Sequence, residues 1–391
     1  MSAIRSTARR GAWVAAELLF AGMAASRRRR TGRPALPDLG EVRSILAIRL
    51  DLMGDLLFTL PALYALREAA PQARITLAVQ PYTAQVARAA PFVDRVITLD
   101  VSGWRRPGAW ARGDAPRQIK AAASEVRSEQ YDLCVSFYGK VAASVALLSG
   151  ARFLAGYRGE GYPFTFDLGL EGERYRWRRH ESEYCLDLAR ALGADGGGTM
   201  PALEVDPAAE ERVRGWLAEV GGNGAGKLVA LHPGALNMAE KRWLPERWAA
   251  VADRVQEELG ARVVLVSSPS ELPLARQLEG AMRTRVVSLA GRTSLGELMA
   301  VIKGCDLFLG GDSGPLHMAS ALGVPSVSVY GPTDPVHTGP LHTKAMVLAP
   351  GAECGPCYDP RMPSACRQWR AECMERITVD EVFEAARGLI G

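Results

Sequence analysis

Three short segments hold residues whose types and spacing suit chemistry on a phosphorylated substrate. Residues 310–317 read Gly-Gly-Asp-Ser-Gly-Pro-Leu-His, directly after an apolar run and at the head of a helical pattern. Pro315 fits the first turn of a helix and Ser313 fits its cap, while Gly310, Gly311 and Gly314 leave backbone N–H groups bare. Bare N–H groups at the positive end of a helix attract a phosphate. A helix start with only a structural task needs a cap. It does not need several glycines, Asp312 and His317 together.

The second segment is Asp51-Leu52-Met53-Gly54-Asp55, after the apolar run 45–50. It delivers two carboxylates to a strand end, and Gly54 leaves room beside them. Asp55, at the start of a helical pattern, suits a cap, a proton acceptor, or both. The glycine-rich dinucleotide fingerprint is missing here, which disfavours a dehydrogenase. In the third segment, His232-Pro233-Gly234 closes another apolar run and Lys241 follows shortly after. Lys241 suits a phosphate held near the strand end, as a flexible point charge. On its residues alone it reads more readily as a solvated loop lysine.

Cys354, Cys357, Cys366 and Cys373 are spaced C-x2-C-x8-C-x6-C. Four thiolates so grouped hold zinc or an iron–sulfur cluster, or else form a structural, redox-sensitive set, and the spacing leaves both open. Cys134, Cys185 and Cys305 sit singly in apolar surroundings and read as core thiols. The odd total argues against an extracellular disulfide scaffold. No Walker A, His-Glu-x-x-His or Gly-x-Ser-x-Gly signature appears, so hydrolase readings have little to stand on.

The elements that must position these groups alternate. Apolar runs at 45–50, 75–79, 93–99 and 131–137 are separated by helical patterns at 55–69, 82–89, 117–129 and 141–148. A Gly-rich break over 193–226 follows, and alternation resumes through runs at 228–234, 261–268, 305–311 and 325–331. Strands separated by helices imply parallel β–α–β units. The expected fold is α/β, with two doubly wound Rossmann-like domains at 44–205 and 206–391 facing a cleft. Ligands bind outside the carboxyl ends of such strands. Residues 100–116 read as an exposed insertion.

Charged residues make up 23% of the chain and the net charge is +4, yet residues 1–43 alone carry nine arginines against three acids. The remainder is slightly acidic, which excludes a basic nucleic-acid binder. No stretch approaches the length of a transmembrane helix. The apolar segment 11–25 is flanked by Arg9, Arg10 and Arg27 to Arg30. This arm reads as an interfacial helix: Trp13, Leu18, Leu19 and Phe20 dip into an anionic membrane and the arginines meet head groups. The expectation is a cytoplasmic protein, peripheral on the inner membrane.

Taken together, ILAIRLDLMGDLLFTLPAL (45–63), HPGA and KRWLPERW (within 232–248), GGDSGPLHMASALGVPSVSVYGPTDP (310–335) and the terminal CGPC stretch resemble glycosyltransferase family 9. That family includes the ADP-heptose:lipopolysaccharide heptosyltransferases. The resemblance runs in order from about residue 44 onward. It implies a GT-B fold, with the acceptor on the first domain and a nucleotide-sugar donor, ADP-heptose, on the second. It also implies inverting transfer with one carboxylate base and no cofactor or metal required for catalysis. By position, Asp55 takes the place of the base and Lys241 that of the phosphate-contacting lysine. Asp312, Ser313, Gly314 and Pro315 match the donor-binding turn, with His317 in the same motif. The implied acceptor is a lipopolysaccharide core or another envelope glycan, as glycolipid or oligosaccharide. A nucleotide-sugar epimerase on the same fold is the alternative. A non-catalytic assembly partner would have no use for a carboxylate opposite a phosphate clamp.

Overall fold

The structure is a computed structural model that describes residues 18, 20–29, 32, 34–104, 113–159, 162, 164–172, 179–195, 202–221, 226–235, 238–341, 344–351, 353–358, 366 and 371–390. The chain divides into two compact units, Met1–Pro201 and Ala202–Gly391.

In the first unit, β1 (Ser44–Ile48), β2 (Arg74–Val79), β3 (Arg95–Thr98), β4 (Leu133–Ser136), β5 (Phe153–Tyr157) and β6 (Leu168–Leu170) form one parallel sheet in the order β3-β2-β1-β4-β5-β6. Ile45, Leu46, Ala47 and Ile48 are wholly buried. A strand covered on both faces has no solvent side, so its sequence is a continuous apolar run. Ile48 lies beside Ala78 on one side and Ser136 on the other. The strand order reverses between β1 and β4, where crossovers leave to opposite sides and open a crevice at the carboxyl ends. The helix Met53–Ala69 leaves β1 at that point and packs on the helix Glu181–Ala191.

The second unit repeats this winding. The strands β7 (Leu228–His232), β8 (Arg262–Leu265), β9 (Val287–Ser288), β10 (Leu307–Gly311), β11 (Ser326–Val329) and β12 (Ala345–Leu348) run in the order β12-β11-β10-β7-β8-β9. Its switch point lies between β7 and β10, where Gly310 pairs with His232. The terminal helix Val379–Ile390 packs over β10, β11 and the helix Pro245–Leu259, burying Val382 and Phe383.

Several elements lie outside the sequence reading: β5, β6, β12 and the helices Glu181–Ala191 and Val379–Ile390. The strand β6 has only three residues. The buried face of Glu181–Ala191 includes Glu181 and Ser182, which break the apolar period. The expected insertion is corrected at its start, since Val101 and Trp104 are buried, and the helix Asp114–Val126 begins within its span. Residues 105–112 lie outside the described ones.

The arm is corrected more deeply. Trp13 and Leu19 lie outside the described residues, and Leu18 is exposed. Phe20 and Ala24, on a helical stretch through residues 20–29, are buried in the core of the first unit, with Phe20 stacked on Tyr162 at 5.9 Å. Arg27 donates to both carboxylate oxygens of Asp167 at 2.9 and 2.6 Å and to the Arg152 carbonyl at 2.6 Å. Arg28 donates to the Phe164 carbonyl at 2.9 Å. Phe20 and Arg27 therefore serve the fold, because burial of an aromatic ring and a bidentate ion pair outweigh solvation of the same groups. Among the described residues, no helix is long and apolar enough to cross a membrane. Arg27→Met should lower the unfolding free energy by about 3–5 kcal/mol, because Asp167 is left buried without its cation. Urea unfolding of the full chain measures this, and a loss below about 1 kcal/mol would show that the pair holds nothing.

Candidate functional site

In the second unit the site is built on the ends of β7 and β10. A side chain at Gly310 would place its Cβ 3.0 Å from the His232 carbonyl oxygen and 2.9 Å from the Phe308 ring, so only glycine lets these strands end so close. Asp312 follows β10, and Ser313 is the N-cap of the helix Gly314–Ala321, with Pro315 in its first turn. Ser313 makes no side-chain cap, contrary to expectation. Its hydroxyl lies 3.3 Å from His232 Nδ1 on the neighbouring strand. The imidazole draws Ser313 away, and its hydroxyl leaves the first-turn N–H groups uncapped.

Asp312 is buried, with Oδ2 2.7 Å from Lys241 Nζ and Oδ1 3.4 Å from His317 Nε2. Burial opposes its ionisation. The charge of Lys241 and the hydrogen bond from His317 more than offset this and hold the carboxyl well below the usual range. Lys241 projects from the short turn Ala239–Lys241 and also lies 4.9 Å from the centre of the Tyr358 ring.

Glu271 belongs to the same site and is absent from the sequence reading. Its Oε2 lies 3.4 Å from His232 Nε2 and accepts from the Ser268 N–H at 3.0 Å and the Ser268 hydroxyl at 2.7 Å. Its Oε1 is buried without a hydrogen-bond partner. A Cβ at Gly234 would sit 2.0 Å from that oxygen, so Gly234 is the space that Glu271 occupies. The only sequence signal is Ser-x-x-Glu, which reads as a capping box at a helix start. Burial raises the Glu271 pKa, but His232 and Ser268 together bring it down to about 2.

Because the folded value lies below the unfolded one, the contribution is complete above about pH 5 and is lost as pH falls towards 2. Glu271→Gln should be less stable than the wild type by on the order of 2–3 kcal/mol at neutral pH, with the gap closing in acid. Melting temperatures from pH 3 to 7 test this, and a gap that widens in acid would contradict it.

In the first unit, the site gathers around Arg49, just past β1. Its side chain is wholly buried. Nε donates to Asp51 Oδ1 at 2.7 Å, Nη2 donates to Glu181 Oε1 at 2.9 Å and lies 3.4 Å from Asp55 Oδ1, and Nη1 donates to Cys185 Sγ at 3.4 Å. Burial works against the guanidinium's charge, and Asp51, Cys185 and Glu181 raise its pKa well above the ordinary value regardless. Asp55 is not the cap that the sequence suggested. The helix begins at Met53 after Leu52, and Asp55 Oδ2 accepts the Leu52 N–H at 3.3 Å from within the first turn. The apolar Leu52 offers no capping atom, so the acid inside the turn serves instead. Gly54 is in the same turn and half-buried. Tyr82 donates its hydroxyl to the Asp51 carbonyl at 2.6 Å. Arg49 and Glu181 are also new to the site. They lie 132 residues apart and share no motif.

All seven cysteines are thiols. Burial raises the Cys373 pKa, and so do the charges of Cys357, Cys354 and Cys366 around it. The N–H groups of Cys357 and Tyr358 both donate to the Pro332 carbonyl at 2.9 Å, which fastens this loop past the end of β11 and brings Tyr358 to Lys241. Among the described residues, no three His, Cys, Asp or Glu side chains are gathered so as to hold a metal ion.

The family model for glycosyltransferase family 9 (heptosyltransferase) matches residues 119–366. The lipopolysaccharide heptosyltransferase 1 of Escherichia coli O18:K1:H7 (strain RS218) is 28% identical over 314 residues, spanning 79% of this chain and 92% of that protein. A crystal structure of a family 9 glycosyl transferase from Veillonella parvula DSM 2008 superposes with a TM-score of 0.78 at 25% identity, covering 89% of this chain and 97% of that one. The E. coli ADP-heptose lipopolysaccharide heptosyltransferase II shares the fold, with a TM-score of 0.70 at 22% identity over 89% of this chain and 98% of its own.

Proposed function

We propose, from the premise that this chain belongs to glycosyltransferase family 9, that it transfers a heptosyl group from ADP-heptose, with inversion, to a lipopolysaccharide core or another envelope glycan. The heptose and its acceptor rest on what the similar E. coli proteins are named for. The observation that carries the donor side is the turn after β10, an uncapped helix start flanked by Lys241 and two buried acids.

In this reading the second unit takes the donor. The diphosphate lies on the N–H groups of Ser313 and Gly314 at the helix start, and Lys241 turns part of its charge from Asp312 to a phosphate oxygen. Asp312 faces the sugar, held by His317, and Glu271 Oε1 accepts a hydroxyl of the donor. His232 and Gly234 hold Glu271 for that contact. The first unit takes the acceptor, with Asp51 and Gly54 beside the hydroxyl to be glycosylated. That oxygen attacks the anomeric carbon as its proton passes to Asp55. The bond to the diphosphate breaks on the opposite face, and the leaving negative charge grows against Lys241 and the helix end. The chain's own residues supply the base and the charge stabilisation, and no cofactor is called for. A lipid-linked acceptor brings the enzyme to the cytoplasmic face of the inner membrane. Any membrane contact by the arm falls to Leu18, Arg29 and residues outside the described ones, since Phe20 and Arg27 are engaged in the fold.

The test is to incubate the purified protein with ADP-heptose, other ADP-sugars and UDP-sugars, with and without a heptose-deficient core acceptor. Release of ADP that depends on both ADP-heptose and acceptor supports the reading. A preference for a UDP-sugar would sink the heptose assignment. A changed sugar without acceptor would indicate the epimerase. Donor at 100 times its dissociation constant should also stabilise the protein by about 2.7 kcal/mol.

A further inference from the structure

We propose that Arg49 and Glu181 form a buried charge relay behind Asp55, acting as positioning residues that aim its carboxylate and keep it basic enough to take a proton. The proposal rests on the reading of Asp55 as the base. Three carboxylates converge on one guanidinium from three parts of the chain: Asp51 from the loop after β1, Asp55 from the first turn of the next helix, and Glu181 from the first residue of the helix Glu181–Ala191. A guanidinium carries five donors in a fixed plane, so its partners are held at set angles.

Glu181 is 5% exposed, against 13% for the Asp55 side chain and 11% for that of Asp51. The acids nearer solvent can meet a substrate, and Glu181 sits behind them. Stability does not account for such a cluster. Apolar residues of the same volume often serve a core as well as a buried ion group does.

Its geometry does suggest a task. Arg49 Nη2 is shared, with its shorter contact, 2.9 Å, on Glu181 and the longer, 3.4 Å, on Asp55. A cation paired with Asp55 alone would drain its basicity, and no cation at all would leave like charges crowded together. Glu181 draws Arg49 back, so that Asp55 Oδ1 is aimed while remaining a proton acceptor. Asp55 Oδ2 is tied by the Leu52 N–H, which completes the orientation. Among the described residues, the titratable groups facing the guanidinium are Asp51, Asp55, Glu181, Cys185 and Tyr138, whose ring centre is 5.8 Å from Cζ. Beyond them stand Tyr82 against Asp51 and Tyr157, Asp187 and Arg179 near Glu181, with His180 next in the chain and bonded to Ser182.

The relay makes a prediction with two opposite signs. Glu181→Gln removes one negative charge and keeps an oxygen for Arg49. The uncompensated cation then favours ionised Asp55, so the acid limb of the kcat/KM–pH profile should move down by roughly half to one pH unit. The weaker base should lower the plateau by about two- to tenfold. Arg49→Met removes the cation at similar volume, so the same limb should move up by roughly one unit or more. Dissociation constants for ADP, read at the second unit, should not change in either variant.

Both profiles are measured with saturating donor, alongside melting curves and the profile of Asp55→Asn. If Arg49→Met does not melt cooperatively, Glu181→Gln decides alone. An unmoved or upward limb in Glu181→Gln overturns the relay, as does a uniform loss of rate matched by a fall in melting temperature. Near-normal turnover of Asp55→Asn would instead overturn the base assignment. An inactive Asp55→Asn with an unmoved limb in Glu181→Gln would overturn the relay alone.

Discussion

Asp55→Asn should lower turnover by about 10²–10⁴, the usual range for a general base, with donor affinity and melting temperature nearly unchanged. The replacement keeps the shape of the side chain and an oxygen to accept the Leu52 N–H. It loses only the capacity to take a proton. Donor affinity is unaffected because the groups assigned to the diphosphate are Lys241 and the helix start after β10, all in the second unit. Asp51→Asn should cost less in turnover and appear mainly in the KM for the acceptor, since Asp51 is tied by the shortest of the Arg49 contacts and has less freedom to move with a proton. Steady-state kinetics of both variants, with ADP binding by calorimetry, make the comparison. Near-normal turnover in Asp55→Asn together with collapse in Asp51→Asn would reverse the two roles.

Lys241→Ala should weaken the binding of a nucleoside diphosphate by about 10- to 150-fold, the equivalent of losing one charge-assisted contact of roughly 1.5–3 kcal/mol. Binding of the bare nucleoside should hardly change. Two effects add in the loss. The phosphate loses its ammonium partner, and Asp312, 2.7 Å from that ammonium in the free protein, loses its nearest cation and keeps a buried charge facing the diphosphate. Lys241→Arg retains the charge but replaces a compact ammonium with a wider plane beside Tyr358, so it should recover only part of the affinity. Calorimetric titration with nucleoside, monophosphate and diphosphate separates these contributions. Equal losses for nucleoside and diphosphate would place Lys241 away from the phosphates.

The first of these residues was brought forward by its own segment and the second by the family resemblance, and the reason for the difference is local. Asp55, Asp312, Ser313, Gly314, Pro315 and His317 sit where an apolar run ends and a helical pattern begins, and such junctions carry their turn chemistry within a few residues. The double winding is legible for a related reason. A parallel strand covered on both faces can only be a continuous apolar run, as in residues 45–48, and two series of such runs with a Gly-rich break between them imply two sheets.

Partners of polar side chains follow a different logic. Arg49 reads as one more cation at a strand end until the order β3-β2-β1-β4-β5-β6 and the packing of the helix Glu181–Ala191 on Met53–Ala69 bring Glu181 to it. Glu271 reads as half of a capping box until the glycine at 234 makes room for Oε1 and Oε2 meets His232. Phe20 and Arg27 read as membrane-facing until the ring of Tyr162 and the carboxylate of Asp167 claim them. Periodicity and turn residues record how each segment meets solvent and its immediate neighbours, so the sequence by itself determined the long buried strands, the alternation with helices and the turn at residues 310–317. Which distant charge lies against which is set only when the sheets close in a particular order. The charge network behind Asp55, the packing of Glu271 against Gly234 and the docking of the arm were therefore decided by the tertiary structure.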